Sequence, residues 1–186
     1  SMGEVTCNKL ISREFIACNN ISFPERLAYE DNYWYNILYL YAERVYIDHN
    51  RFYHYCVNQD STVLKKEQTY QDDLLTVNKI KWEMWSERGF LNKFRDELEI
   101  DFLYSAYIGY LRIIFLRYSD VRYDLFIKLK GFVLTFIPDY RTNSLIRTNF
   151  SEFDKLLLEM LVTEVDEKEF GSVMTYAIEY MRKKSN

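Results

Sequence analysis

The chain has 186 residues, a hydrophobic fraction of 48% and a formal net charge of −4, which suit a globular domain with a buried core. Basic residues do not outnumber acidic ones, and this argues against a nucleic-acid-binding protein, because such proteins need clustered positive charge. The chain contains only 5 Gly and 2 Pro, and its aromatic share is 18%. This composition favours long helices over a β-sandwich or barrel.

The N-terminus and the cysteines bear on where the protein resides. Residues 1–3 (Ser-Met-Gly) are typical of a cloning scar, and the residues after them lack the charged and apolar regions of a signal peptide. No apolar run reaches the roughly 20 residues that span a bilayer. The 3 cysteines are an odd number without Cys-x-x-Cys spacing, so we predict reduced thiols. These features predict a cytoplasmic protein.

Residues 4–66 form the first predicted unit, in which short strands and loops surround one helix. The adjacent carboxylates Glu30 and Asp31 follow a Pro-containing loop and begin this helix. Its apolar face is predicted from helical spacing and comprises Tyr33, Ile37, Leu40 and Tyr41. Residues 44–48 and 52–57, rich in aromatic and β-branched side chains, predict short strands, and residues 58–62 predict a polar loop.

Residues 67–186 form the second predicted unit, a helical, bundle-like region, and the boundary is placed near residues 64–67. Helical spacing of apolar residues predicts helices over 67–88, 92–117 and 123–136, a polar loop over 139–149, a helix capped by Ser151, and a last helix with a basic end at 182–184. Gly89 is the predicted stop of the first of these helices. The predicted packing positions are Tyr70, Leu74, Val77, Lys81, Met84, Leu103, Ala106, Tyr107, Tyr110, Leu111, Ile114, Leu157, Met160, Leu161, Val173, Tyr176, Ala177, Tyr180 and Met181.

The residues around the acidic pair resemble the acceptor-side half of family two glycosyltransferases, which have the GT-A fold. The motif that carries the resemblance is an aromatic-Pro-Glu, then Tyr-Glu-Asp and an aromatic three residues on, here Phe23-Pro24-Glu25, Tyr29-Glu30-Asp31 and Trp34. Upstream stand Asn8-Lys9-Leu10 and Arg13, and the resemblance covers residues 7–64. Cys56 departs from the family pattern, in which an Arg is common at this place. The resemblance implies an α+β chain, predominantly α-helical, with a partial GT-A domain before the helical region.

The resemblance also assigns roles to site residues. It implies that Asp31 is the base that takes the proton of an acceptor hydroxyl in an inverting sugar transfer, with Glu30 shaping the acceptor pocket. Lys9 and Arg13 would approach the donor phosphates, and Tyr29 and Trp34 would stack on a sugar ring. The residues themselves leave an alternative open, in which the two carboxylates only complement a helix start and the two cations are ordinary surface residues.

Cofactor and partner expectations follow from the same resemblance. The chain has no Asp-x-Asp motif, so we predict no metal site in it, whereas the full-length enzyme would need Mn²⁺ or Mg²⁺. We therefore expect a fragment that is inactive without its donor-binding half. The full-length partners would be a nucleotide-sugar and a glycan or lipid-linked acceptor, in cell-surface polysaccharide synthesis.

Two further associations are expected. Uncovered sheet edges and apolar surface predict a homodimer. Basic residues beside many aromatics suggest peripheral association with the inner face of the membrane, although they fit a helix bundle equally well. These residues are Arg112, Arg117, Arg122, Lys128 and Lys130.

The alternative function is a helical protein-interaction module without catalytic activity. In that interpretation the acidic pair caps a helix, and the aromatic residues form a core and an interface. Fold class does not separate the two hypotheses.

Overall fold

The computed structural model describes residues 6–50, 52–54, 56 and 69–185. All the regular secondary structure within these ranges is helical. The α-helices are α1 (Arg13–Cys18), α2 (Glu30–Tyr41), α3 (Asp73–Glu87), α4 (Leu91–Phe102), α5 (Gly109–Arg117), α6 (Tyr123–Phe136), α7 (Ile146–Asn149), α8 (Glu152–Glu159) and α9 (Glu167–Ser185). A π-helical segment, Leu103–Ile108, joins α4 to α5, and short 3₁₀ turns occur at Thr6–Asn8, Thr69–Asp72 and Tyr140–Thr142.

The α+β prediction is wrong, because the described residues contain no β-strand and a GT-A domain requires a central sheet. Residues 44–48, predicted as a strand, follow α2 without regular secondary structure. A strand forms only when a second strand satisfies its backbone donors and acceptors, and the described ranges provide none. The predicted strand at 52–57 is described only at 52–54 and 56, and the predicted loop at 58–62 lies outside the described residues.

A long central helix organises the core. It runs from α4 through the π-helical segment into α5, and Gly109 N–H donates to Tyr104 O, the wider spacing typical of a π-helix. The π-helical segment packs against α3, α6 and α8, while α5 packs against α6 and α9. The predicted packing positions on this helix are confirmed as buried: Leu103, Ala106, Tyr107, Tyr110, Leu111 and Ile114.

Aromatic rings fill the space around this central helix. Phe102 contacts Trp82 edge to face at 5.1 Å and stacks on Phe132 at 5.9 Å. On the other side Phe126 stacks on Phe170 at 4.7 Å, which joins α6 to α9. Rings packed offset or edge to face stabilise a core by more than the burial of their area alone. This packing accounts for much of the aromatic content of the chain.

Most predicted helix ends are confirmed. The helix at 123–136 has the predicted bounds, Ser151 Oγ accepts from Asp154 N–H as the cap of α8, and Gly89, with φ of 74°, follows the end of α3. The loop predicted at 139–149 is wrong in part, because it contains a 3₁₀ turn and α7. Asn143 orders this stretch by donating to Asp96 O at 2.9 Å and Glu99 Oε2 at 3.1 Å.

The N-terminal helices pack on the helical region through α3. Ala28 N–H donates to Asp73 Oδ2 at 2.9 Å. Arg88 donates to the backbone oxygens of Asn19 at 2.8 Å and Asn20 at 3.1 Å. The predicted boundary at residues 64–67 lies outside the described residues. None of the described helices combines the length and the apolar character that crossing a bilayer requires.

Candidate functional site

The predicted catalytic pair lies at the start of α2, as expected from sequence. Glu30 is exposed and Asp31 is half-buried, both in the first helical turn. Asp31 Oδ1 lies 3.4 Å from Asn32 Nδ2, a long contact within the same turn. Negative charge in a first turn is stabilised by the helix dipole. The helix-start interpretation therefore accounts for both carboxylates without a catalytic role.

The predicted substrate-binding residues are distributed over different segments. Tyr29 directly precedes the pair and has a left-handed backbone, with φ of 63°. Trp34 is buried one turn further along α2, and its ring stacks on Phe23 at 4.7 Å, so this face is covered. Lys9 donates to its neighbour Asn8, and burial lowers the pKa of Lys9. Arg13 is exposed at the first position of α1.

A buried lysine is the most unusual polar group of the core. Lys81 is only 1% exposed, and its Nζ donates to Asp101 Oδ2 at 2.7 Å and to Ser105 Oγ at 2.8 Å. Ser105 Oγ also hydrogen-bonds Asn78 Oδ1, and Asn78 Nδ2 donates to Leu74 O at 2.8 Å. The sequence placed Lys81 on the apolar stripe of its helix, and that position was the only signal of this cluster.

The Lys81 cluster, which consists of Lys81, Asp101, Ser105 and Asn78, is a structural contact between helices. It connects α3 to the end of α4 and to the π-helical segment, and the ammonium also lies 5.2 Å from the centre of the Trp85 ring. Burying a charge is tolerated when a counter-charge and hydrogen bonds surround it. Because Lys81 and Ser105 hydrogen-bond within the protein, this arrangement supports packing rather than ligand binding.

A second cluster surrounds Asp72 at the start of α3. Its carboxylate accepts hydrogen bonds from Tyr110 Oη and from Lys128 Nζ, the latter at 2.7 Å. Burial raises the pKa of Asp72, but the bonds from Lys128 and Tyr110 outweigh this effect, and the net pKa lies below its usual value. Burial and the Asp72 carboxylate together raise the pKa of Tyr110 far above its usual value. The cluster links α3, α5 and α6.

Most of the basic residues considered for membrane contact are engaged within the protein. Arg112 contacts Asp154 at 3.2 Å, Arg122 pairs with Asp124 at 2.7 Å, and Lys128 pairs with Asp72. Lys130 donates to the carbonyl oxygens of Met160 and Thr163. Charges that are paired in this way contribute less to attraction by an anionic surface. Membrane association stays a prediction.

The stretch that follows α2 exposes large apolar side chains. We call residues 44–50, 52 and 53 the apolar segment; its exposed members are Val45 at 52%, Tyr46 at 88%, Ile47 at 60%, Phe52 at 80% and Tyr53 at 55%. Asp48 Oδ1 accepts from the backbone N–H and side-chain amide of Asn50, which makes a tight turn within the segment. Sequence reasoning predicted a strand here and missed the exposure.

Comparisons with protein-family models, with curated proteins and with solved structures found no match. The resemblance to family two glycosyltransferases is thus wrong, because the described chain lacks the sheet that defines the GT-A fold and no family model supports the motif. The predictions that had this resemblance as their basis stay predictions. They are the Mn²⁺ or Mg²⁺ of a longer enzyme and the roles of Asp31, Glu30, Lys9, Arg13, Tyr29 and Trp34.

Proposed function

We propose that this chain is a helical protein-interaction module whose contact element is the apolar segment. The observation that carries the proposal is the exposure of Val45, Tyr46, Ile47, Phe52 and Tyr53 within one short stretch of sequence. Single exposed apolar residues are common on protein surfaces, but contiguous exposed apolar stretches mark interaction sites.

The composition of the apolar segment suits a protein partner. Tyr and Phe are enriched in the cores of protein interfaces, because they bury a large area with few rotatable bonds. Arg44 and Asp48 flank the exposed Val45, Tyr46 and Ile47, and both are exposed. Charged residues at the rim of an apolar patch set the orientation of a partner rather than its affinity.

The rest of the described chain supplies a rigid base for this element. The segment begins at Arg44, shortly after the end of α2, whose Ile37 and Leu38 are buried in the core. Trp85 of α3, and Arg88 just after α3, hold α2 and the loop before it in place through hydrogen bonds to Asn36, Asn19 and Asn20. The helix that leads into the contact element is thus anchored to the rest of the described chain.

Site-specific photo-cross-linking in cells tests the proposal. A photoreactive phenylalanine replaces Tyr46 in one variant and Tyr176, which is 53% exposed on α9, in a matched control. We expect a discrete protein adduct from position 46 and none from position 176. No protein adduct from position 46, with a folded variant confirmed by circular dichroism, would contradict the interaction role.

A further inference from the structure

The residue pattern of Arg44 to Asp48 is self-complementary. In an extended conformation, side chains alternate between two faces, so Arg44, Tyr46 and Asp48 share one face while Val45 and Ile47 share the other. β-branched and aromatic residues favour such a conformation. Val45, Tyr46 and Ile47 therefore have the propensity of a strand, and the described residues contain no strand to pair with them.

An antiparallel pairing of two copies, centred on Tyr46, matches every position favourably. It places Arg44 opposite Asp48 of the second copy at both ends, Val45 opposite Ile47, and Tyr46 opposite itself. Cross-strand pairs of opposite charge, of aliphatic residues and of aromatic residues each stabilise an antiparallel ladder. A parallel pairing in register would set Arg44 against Arg44 and Asp48 against Asp48, which repel.

The groups that this pairing needs are available. Within the described part of the chain, no backbone hydrogen bond to another backbone group involves residues 44–48. Arg44 and Asp48 are exposed and have no ion pair among the described residues. The bonds from Asn50 occupy Oδ1 of Asp48, which leaves Oδ2 for a cross-strand arginine.

We propose that the partner of the apolar segment is a second copy of this chain, joined through antiparallel pairing of residues 44–48 about a two-fold axis. This inference rests on the proposed function and names its partner. Two-fold symmetry presents the same surface from each copy, so the Arg44–Asp48 and Val45–Ile47 pairs each occur twice and the Tyr46–Tyr46 pair occurs once, on the axis. Phe52 and Tyr53, which follow the turn at Asp48 in sequence, are exposed as well.

A charge-swap series tests the pairing in purified protein. Sedimentation velocity over a range of concentrations measures the dimer dissociation constant of the wild type, of Arg44→Asp, of Asp48→Arg, and of the variant with both changes. Each single swap replaces two attractive pairs by two repulsive ones, so we expect dimerisation to weaken at least about tenfold. The double swap restores opposite charges, and we expect its dimer dissociation constant to lie within about threefold of that of the wild type.

Matched controls separate the pairing from a general charge effect. Arg141 and Glu159 form an exposed ion pair at 3.1 Å within one chain. Single swaps there, Arg141→Glu and Glu159→Arg, change net charge equally and are expected to leave the dimer constant unchanged. Circular dichroism melting of each variant verifies that it is folded.

Each outcome has a distinct meaning. A wild-type protein that stays monomeric throughout, or a double swap that fails to recover dimerisation, overturns the self-pairing. Adducts from position 46 that contain only other proteins also overturn it, while leaving the interaction role intact. Loss with both single swaps and recovery in the double swap supports the antiparallel register.

Discussion

Trp85 Nε1 donates a hydrogen bond of 2.6 Å to Asn36 Oδ1, and both side chains are buried. The bond joins α3 to α2 and so fixes the helix that carries the apolar segment. Buried indole N–H groups almost always find an acceptor, because leaving one unsatisfied is costly. The position of α2 on the helical region therefore depends on a specific polar contact as well as on apolar packing.

Removing this acceptor should destabilise the protein. Asn36→Ala leaves the Trp85 N–H buried without a partner, and we expect a loss of about 1–3 kcal/mol in the free energy of unfolding. Urea denaturation followed by tryptophan fluorescence measures the change. Asn92→Ala, at an exposed position of α4, is the matched control and should stay within about 0.5 kcal/mol of the wild type. Equal losses in both variants would show that the buried bond contributes nothing specific.

The two residues of the Lys81–Asp101 pair should differ in how much stability is lost when each is replaced. Asp101→Ala leaves a buried ammonium without its counter-charge, so we expect a loss of about 2–4 kcal/mol. Lys81→Met keeps the volume and leaves Asp101, 33% exposed, accessible to water, so we expect a loss within about 1.5 kcal/mol. The double variant should resemble Lys81→Met. Chemical denaturation of the four proteins gives the coupling energy.

A surface lysine provides the control for this pair. Lys79 lies in the same helix, is 57% exposed and contacts Glu83 at 3.9 Å. Lys79→Met should change stability by no more than about 0.5 kcal/mol, since exposed ion pairs contribute little. If Lys81→Met loses as much stability as Asp101→Ala, the loss in Asp101→Ala does not come from the desolvation cost of an unpaired, buried Lys81 ammonium.

Sequence reasoning succeeded where structure depends on local pattern. The bounds of α6 and the cap at Ser151 follow from residues that are neighbours in sequence, and both were predicted. The burial of Leu103, Tyr107 and Ile114 followed from helical spacing in the same way. The start of α2 at Glu30 was also predicted.

Sequence reasoning failed where structure depends on a distant partner. Residues 44–48 have the propensity of a strand, but a strand also needs a second strand, and propensity does not reveal whether one is present. Lys81 was placed on a packing face, yet its counter-charge lies 20 residues away on another helix. The motif around Glu30 and Asp31 matched a family pattern by residue type alone, and the helix start explains the same residues.

Arg88 should control the order of the N-terminal helices. Its guanidinium donates to Asn19 O and Asn20 O and to Tyr41 Oη at 3.2 Å, so one side chain fixes the turn after α1 and the end of α2. We expect Arg88→Ala to cost about 1–3 kcal/mol and to speed amide exchange in residues 13–28. Hydrogen–deuterium exchange with mass spectrometry measures this effect. Arg147→Ala, in the short helix α7, is the control and should leave exchange in these residues unchanged.

Tyr140 predicts a loss of stability at alkaline pH. Its hydroxyl donates to Leu158 O at 2.7 Å, and burial, aided by the Glu159 carboxylate, raises the pKa of Tyr140 from 10.0 to about 12. Because the pKa is raised on folding, the folded state keeps a proton that the unfolded state loses. The stabilisation is complete below pH 10.0 and declines as pH rises towards about 12.

Tyr140→Phe separates this effect from the rest of the protein. The variant loses the hydrogen bond to Leu158, so at pH 7 we expect it to be less stable by about 1 kcal/mol. Above pH 10.0 its stability should fall less steeply than that of the wild type, since one titrating hydroxyl is gone. Thermal melting at half-unit steps of pH measures both slopes, with Tyr176→Phe on the surface of α9 as the control. Parallel slopes for Tyr140→Phe and the wild type would mean that the Tyr140 hydroxyl does not cause the alkaline loss.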